Sequence, residues 1–279
     1  MAPELTNPRA RRVMAVRALS GRSPSSASAR RRTGTYLVEG PQAVREAVRF
    51  APERVRELYL SESAAGRYTE IVLDSLKAGL QARTTSDEVA KVMSPDAQGV
   101  LAVLESVPLR LDDVLGSASA RLVAVLSRVR DPGNAGTVIR AADAAGADLV
   151  IVTAESVDVH SPKVVRSSAG SLFHLPVVTG VELADAGSLL RDAGLTILAA
   201  DGHAEADLDT LSDAAGTGGP VDLARPTAWL FGNEAWGLPD ADLALAQAAV
   251  RVPLRGRAES LNLATAAAVC LFASARAQR

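Results

Sequence analysis

The amino-acid sequence predicts an α/β protein of two domains, a small one in front and a larger one built on a parallel sheet. Three observations carry this prediction. The chain has 279 residues, 48% of them hydrophobic and 22% charged, enough to bury a large core and a small one. From Tyr36 onward, short strand and helix patterns alternate. From Leu122 onward, longer apolar runs alternate with helical patterns at the spacing of βα units, which implies a parallel sheet covered on both faces.

Residues 1–34 read as a basic N-terminal arm. Eight arginines stand there against Glu4 alone, so residues 1–35 carry +7 and the other 244 carry −9, which sum to the net −2 of the chain. Asn7-Pro8 is a helix start, Arg9 to Leu19 a basic helix stopped by Gly21, and Arg22 to Arg32 a linker. Such an arm suits phosphate contacts that weaken with salt. A solvated tail and an organelle transit peptide fit the same composition. Only three of thirty basic residues are lysine, which together with the abundant alanine indicates a GC-rich genome and favours a bacterial cytoplasm.

Residues 35–107 read as a small α/β domain. Tyr36 to Gly40 is a strand and Pro41 to Phe50 a helix with Ala43, Val44, Ala47 and Val48 on one side. Val55 to Leu60 is a second strand, helices follow near Tyr68 to Ala78 and Ser86 to Met93, and Val100 to Leu104 is a strand. Pro108 to Ser119 is the connection. Residues 120–279 form the larger domain, with strands at Leu122–Leu126, Leu149–Thr153, Pro176–Val178, Thr196–Ala200, Ala228–Phe231 and Val250–Pro253. Thr210 to Leu223, rich in Gly, Asp and Ser, reads as a surface loop.

Composition removes several function classes. No window approaches the ~20 apolar residues of a membrane span. The single Cys270 rules out an internal disulfide or a cysteine metal cluster, fits a reducing compartment and reads as a core residue. His160, His174 and His203 have no ligand spacing, so no metal is expected.

Three segments of the larger domain carry chemistry. After the first strand a dinucleotide fold would place Gly-x-Gly-x-x-Gly, which is absent. Instead Pro132, Gly133 and Asn134 make a turn, and Ala135 to Ala145 a helix from which Arg140 projects away from the core side. Alone, Asn134 reads equally as a helix cap and Arg140 as a solvated cation. The second segment, Trp229 to Pro239, brackets Glu234 between Gly232 and Gly237 after a strand. Backbone at Gly232 can approach a ligand closely there, or the segment is a plain turn. The third, Val252 to Val269, runs from a strand through a glycine loop into a helix that is apolar or small nearly all round, hence buried against another helix or a second subunit. Ser260 suits the N-cap of that helix.

Together the three segments resemble the SpoU branch of the SPOUT RNA methyltransferases, the TrmH-like group that includes tRNA and ribosomal RNA ribose 2′-O-methyltransferases and thiostrepton-resistance enzymes. The match lies in order and spacing: Asn134 six residues before Arg140; Gly232, Glu234 and Gly237 as Gly-x-Glu-x-x-Gly; and Pro253 followed by Ser260, Leu261 and Asn262. Ser161 to Pro176 looks like the family's intervening block, and Tyr36 to Pro41 resembles the small substrate-binding domain of many members. The resemblance implies a parallel sheet with a deep trefoil knot, an exception to the rule against threaded loops, and a homodimer with the site beside the interface. S-adenosyl-L-methionine would be cradled around Gly232, Val252 and Leu261, flanked by Gly237 and Pro253. Asn134, Arg140, Glu234, Ser260 and Asn262 are the expected catalytic set, with RNA as the partner and neither metal nor membrane involved.

Methyl transfer from a sulfonium depends on in-line positioning. Arginine stays protonated, so Arg140 is expected to anchor an RNA phosphate and stabilise charge developing on the ribose oxygen. Glu234 can accept the proton or orient Arg140 or Asn134, and Ser260 and Asn262 can bond ribose or phosphate. Two other functions fit the same sequence: an RNA-binding protein with a degenerate knot, and a base methyltransferase. The 3% aromatic content speaks against serial base stacking.

Overall fold

The computed structural model describes residues 4–21, 23–117 and 119–279. By contacts the chain divides into two units, Met1–Val107 with Asp158–His174, and Pro108–Val157 with Leu175–Arg279.

The first unit is organised on a four-stranded sheet in the order β1-β4-β2-β3. Helices α1 (Arg11–Ser20) and α2 (Pro24–Thr33) precede β1 (Thr35–Glu39), followed by α3 (Pro41–Phe50), β2 (Val55–Ser61), α4 (Glu62–Arg67), α5 (Thr69–Lys77), β3 (Ala82–Thr85), α6 (Asp87–Met93) and β4 (Val100–Glu105). β4 runs antiparallel to β1 and β2, with Leu37 opposite Val103 and Tyr59 opposite Leu101. Helix α3 buries the four residues its periodicity selects, Ala43, Val44, Ala47 and Val48.

The expected basic helix at Arg9 to Leu19 is α1, whereas most of the expected linker at Arg22 to Arg32 is helix α2. Ser23 caps α2 by accepting from the Ser26 backbone N, and Arg22 lies outside the described residues. Val13, Val16 and Leu19, three residues apart on α1, are buried with Ala29 against Leu37, Tyr59 and Leu101. Each such aliphatic contributes about 1.5–3 kcal/mol by leaving water. Arg30, 6% exposed, pairs with Asp158 at 2.8 Å and donates to the carbonyls of Leu19 and Gly21. One of the eight arginines is therefore internal architecture, while Arg9, Arg11, Arg17, Arg31 and Arg32 remain exposed.

A second difference concerns 158–174, which the sequence reading places inside the 120–279 domain. This segment groups with the first unit because its charges are matched there. Arg166, from α9 (Pro162–Ser167), pairs with buried Glu39 and with Asp96 at 3.0 Å. His174 lies 3.3 Å from Glu46.

The second unit holds a seven-stranded sheet in the order β7-β6-β5-β10-β8-β11-β9, every pair parallel. Its elements are α7 (Leu111–Ser117), β5 (Leu122–Leu126), α8 (Pro132–Ala145), β6 (Leu149–Val152), β7 (Val177–Thr179), α10 (Leu183–Asp192), β8 (Thr196–Ala200), β9 (Ala206–Asp207), α11 (Leu208–Asp213), β10 (Thr227–Phe231), α12 (Asp240–Leu243), β11 (Ala248–Arg251) and α13 (Leu263–Ala277). The expected connection contains α7, and the expected loop at 210–223 begins inside α11. Strands β5 and β10 are buried throughout, as continuous apolar runs require. Because all seven strands are parallel, the chain leaves β5, β8, β10 and β11 at one edge of the sheet, where open α/β sheets bind ligands.

Helix α13 is not buried all round. Ala264, Ala267, Cys270, Leu271 and Ser274 are buried, and burial pushes the Cys270 thiol up to about 12. Ser274 accepts a 2.9 Å hydrogen bond from the indole of wholly buried Trp229 on β10. Val269 and Phe272, on the opposite face, are 41% and 48% exposed.

His160 gives the first unit a pH response. Its ring stacks on Tyr36 at 4.1 Å between centroids, with Ser106 Oγ 3.3 Å from Nδ1. Burial lowers its pKa to about 4; the Asp158 carboxylate opposes this, and the Arg30 and Arg54 cations add to it. The folded ring stays neutral down to that value, whereas an unfolded histidine takes up a proton near 6.5. The unfolded chain thus binds more protons in this window, and stability rises with pH across it. Between about pH 7 and about pH 4.5 this group should remove on the order of 2 kcal/mol from the unfolding free energy. Denaturant titrations at both values should show a flatter dependence in His160→Gln; an identical slope would place the response elsewhere.

Candidate functional site

The three sequence segments meet at the edge of the seven-stranded sheet. Helix α8 starts with Pro132 at its first position and is capped by Asp131, whose carboxylate accepts from Asn134 N at 2.8 Å. Asn134 is therefore not the cap, and its side chain is spent elsewhere. Its Nδ2 donates to Glu234 Oε1 at 3.2 Å, and its Oδ1 accepts from Asn262 Nδ2 at 3.0 Å. The cap of α13 is Asn262 rather than Ser260, with Oδ1 accepting from Ala264 N at 2.9 Å. One residue from each segment thus joins a single chain, Asn262 to Asn134 to Glu234.

Glu234 accepts more than this one bond. Its Oε1 also takes Asp131 N at 3.1 Å and its Oε2 takes Arg130 N at 3.3 Å. Three donors beside the first turn of α8 thus converge on one carboxylate. A carboxylate so engaged is suited to fixing the loop after β5 and orienting Asn134. It does not orient Arg140, which lies six residues further along α8, exposed, and forms no ion pair among the described residues.

The loop after β10 closes on itself. Asn233 N donates to the Gly237 carbonyl at 3.0 Å and Gly237 N to the Asn233 carbonyl at 2.9 Å. A Cβ on Gly232 would lie 2.5 Å from that Gly237 oxygen and 2.8 Å from Leu238 Cγ. Glycine is thus required at 232 by the loop's own backbone, before any ligand is considered, and Gly237 supplies the left-handed φ of +67°.

Several residues missing from the sequence reading hold this frame. Asn233 Nδ2 donates to the Arg128 carbonyl at 2.7 Å. Arg128, itself at φ +50°, pairs with Asp242 of α12. Ser127 Oγ also bonds Asp242, at 3.2 Å, and Thr153 Oγ1 accepts from Arg128 N at 3.2 Å. Arg130 places its guanidinium 5.2 Å from the ring centre of Trp236. These partners stand 25 to 115 positions apart, so no local pattern exposes them. A φ above zero at a non-glycine residue likewise leaves no mark in composition.

The expected cofactor residues line the same edge. Val252 and Pro253 are half-buried where the chain leaves β11, and Leu261 is half-buried just before α13. Among the described residues, no backbone-to-backbone hydrogen bond involves 253–261, and 254–260 are exposed. With the loop at Gly232, that is a fit for a cofactor gripped through backbone groups. A cavity of about 590 Å³ lies nearby, lined by Glu205, Asp207, Asp209, Asp213, Arg251 and Arg255. It includes none of Gly232, Val252 or Leu261. Among the described residues no cluster of His, Cys, Asp and Glu could hold a metal ion, and no helix is long and apolar enough to cross a membrane.

Comparison with known proteins follows this geometry. The profile of the SpoU rRNA methylase family matches residues 121–272, and that of the RNA 2′-O ribose methyltransferase substrate-binding domain matches 37–109. The chain belongs to the SpoU rRNA methylase family. It is 33% identical to the 23S rRNA (guanosine(2553)-2′-O)-methyltransferase RlmP of Bacillus subtilis over 87% of this chain and 89% of that one. An AdoMet-bound rRNA methyltransferase from Sinorhizobium meliloti superposes with a TM-score of 0.80 at 29% identity, covering 98% of this chain and 97% of its own. The SpoU methyltransferase AviRb of Streptomyces viridochromogenes, in complex with AdoMet, gives 0.78 at 30% identity, with 96% and 98% covered.

Gly232→Ala should push Gly237 and Leu238 away and cost about 1–3 kcal/mol through overpacking. Calorimetry should then show S-adenosylmethionine binding weakened at least tenfold; unchanged affinity would mean that loop closure does not shape the cofactor site.

Proposed function

We propose that this SpoU-family protein transfers a methyl group from S-adenosylmethionine to the ribose 2′-hydroxyl of a ribosomal RNA nucleotide, as a homodimer in the cytoplasm. The observation that carries this reading is the chain Asn262–Asn134–Glu234, which unites all three segments at the ligand edge of the sheet. The small front unit, the relatives' printed 2′-O activities on 23S rRNA and the AdoMet-bound neighbours support the substrate and cofactor. An RNA-binding protein with a degenerate knot has no use for such an assembled chain. A base methyltransferase is disfavoured because the relatives' names specify the ribose oxygen.

Bound S-adenosylmethionine would supply an electrophilic methyl group. Gly232, Val252 and Leu261 would hold it through backbone groups, with Gly237 and Pro253 shaping the two loops. Glu234 acts as the fixed acceptor that sets the loop after β5, and Asn134 is aligned between Glu234 and Asn262. Ser260, exposed on the approach to α13, is placed to bond ribose or phosphate. Arg140 anchors an RNA phosphate and stabilises charge on the attacking oxygen. We read the insertion of β10 between the earlier strands β5 and β8 as part of the family's deep trefoil knot.

The decisive experiment is S-adenosylmethionine calorimetry combined with mass spectrometry of digested 23S rRNA from cells with and without the protein. Heat of binding and one lost ribose mark are the expected results; a lost base mark would overturn the ribose assignment. Arg140→Ala should leave cofactor affinity within about twofold while lowering methylation roughly 100-fold, the scale of a lost charge-stabilising group. Undiminished turnover would remove Arg140 from the site.

The exposed face of α13 supports the dimer. Thr265, Val269, Phe272 and Arg276 recur at helical spacing and all are exposed, an apolar pair rimmed by polar groups. Phe272→Asp should convert a dimer to a monomer in light scattering; a dimer that survives it would place the interface elsewhere.

A further inference from the structure

We propose that Trp236 is a stacking platform for one RNA base at or beside the methylated nucleotide, with Arg130 backing the ring; this rests on the methyltransferase reading above. The chain has two tryptophans. Trp229 is 0% exposed in the sheet, whereas Trp236 is 51% exposed. Trp236 stands two residues from Glu234, in the loop that carries the site.

The ring sits on a rigid carrier. The paired bonds between Asn233 and Gly237 close the loop, Ala235 N donates to Asn233 Oδ1 at 2.9 Å, and Asn233 Nδ2 ties the loop to Arg128. Arg130 is fixed by the same network, since its backbone N donates to Glu234 while its guanidinium lies over the indole at 5.2 Å. A guanidinium over one face is held there by attraction to the ring, and a guanidinium beside a stacked base is within reach of the neighbouring phosphate.

A nucleobase fits this arrangement better than other partners. Unstacked RNA bases are held on aromatic rings and guanidinium planes, and such stacking tolerates any base. Holding the base fixes the attached ribose, which in-line attack requires. One platform is also compatible with a chain of only 3% aromatic residues, in which serial stacking is not available. Trp236 thus positions the nucleotide without selecting its identity.

The full-length chain should be assayed with a transcribed 23S rRNA. Trp236→Ala should lower kcat/KM roughly 10- to 100-fold, the range of a lost base stack, and leave S-adenosylmethionine affinity unchanged, while Trp236→Phe should stay within about threefold of wild type because a phenyl ring still stacks. In the wild type, adding the rRNA should shield tryptophan fluorescence from acrylamide, because Trp229 is already buried; this readout needs no variant and decides the matter if Trp236→Ala is unstable. Wild-type methylation with Trp236→Ala undiminished overturns this inference alone. Shielding that follows protein concentration instead of rRNA also overturns it, because a second copy then covers the ring. A wild-type chain that binds no S-adenosylmethionine overturns the underlying reading and the inference together.

Discussion

The Glu234 carboxylate is the point through which the catalytic edge is assembled. It sits in a turn after β10, yet three of its bonds go to the loop and first turn that follow β5. The loop after β5 has no regular structure to hold it and leaves the backbone donors of Arg130 and Asp131, which would otherwise face water or remain unpaired. A single carboxylate beside the start of α8 satisfies both at once. Asn134 and Asn262 then extend the link to a second helix start.

The first unit is held by a different logic. Its sheet is covered on one face by α1, α2 and α6, and its buried charges are matched in pairs: Arg30 with Asp158, Glu39 with Arg166. Removing one member of such a pair strands a charge in a poorly solvated place, which is far more costly than never having had the pair. Both pairs use the segment 158–174, so residues encoded between β6 and β7 of the seven-stranded sheet complete the packing of the first unit.

Most strands were legible because buried strands are apolar runs and helices such as α3 display their period directly. Helix α1 of the arm is legible from its start and stop signals, but α2 and the burial of the arm are not, because eight arginines dominate composition while the signals that order it are only Val13, Val16 and Leu19 at three-residue spacing and Ser23 as a cap. The motif residues were legible as a set, but their bonding was not. Nothing local distinguishes Asp131 from Asn134 as the cap of α8, or Ser260 from Asn262 as the cap of α13, since Asp, Asn and Ser all cap helices. Asn233, Arg128 and Asp242 escaped notice because their partners lie in remote turns, and one sequence carries no trace of such pairing.

The self-closing turn at Gly232 has a consequence for how enzymes of this build can diversify. Its shape is set by glycine at 232 and 237 and by backbone bonds between 233 and 237, none of which involves the side chain at 236. That position is therefore a socket: its occupant can be exchanged for a flat, a charged or a small group while the geometry around Glu234 is preserved. The grip of that loop on a partner can then be strengthened or weakened by a single replacement, without rebuilding the bonds around Glu234.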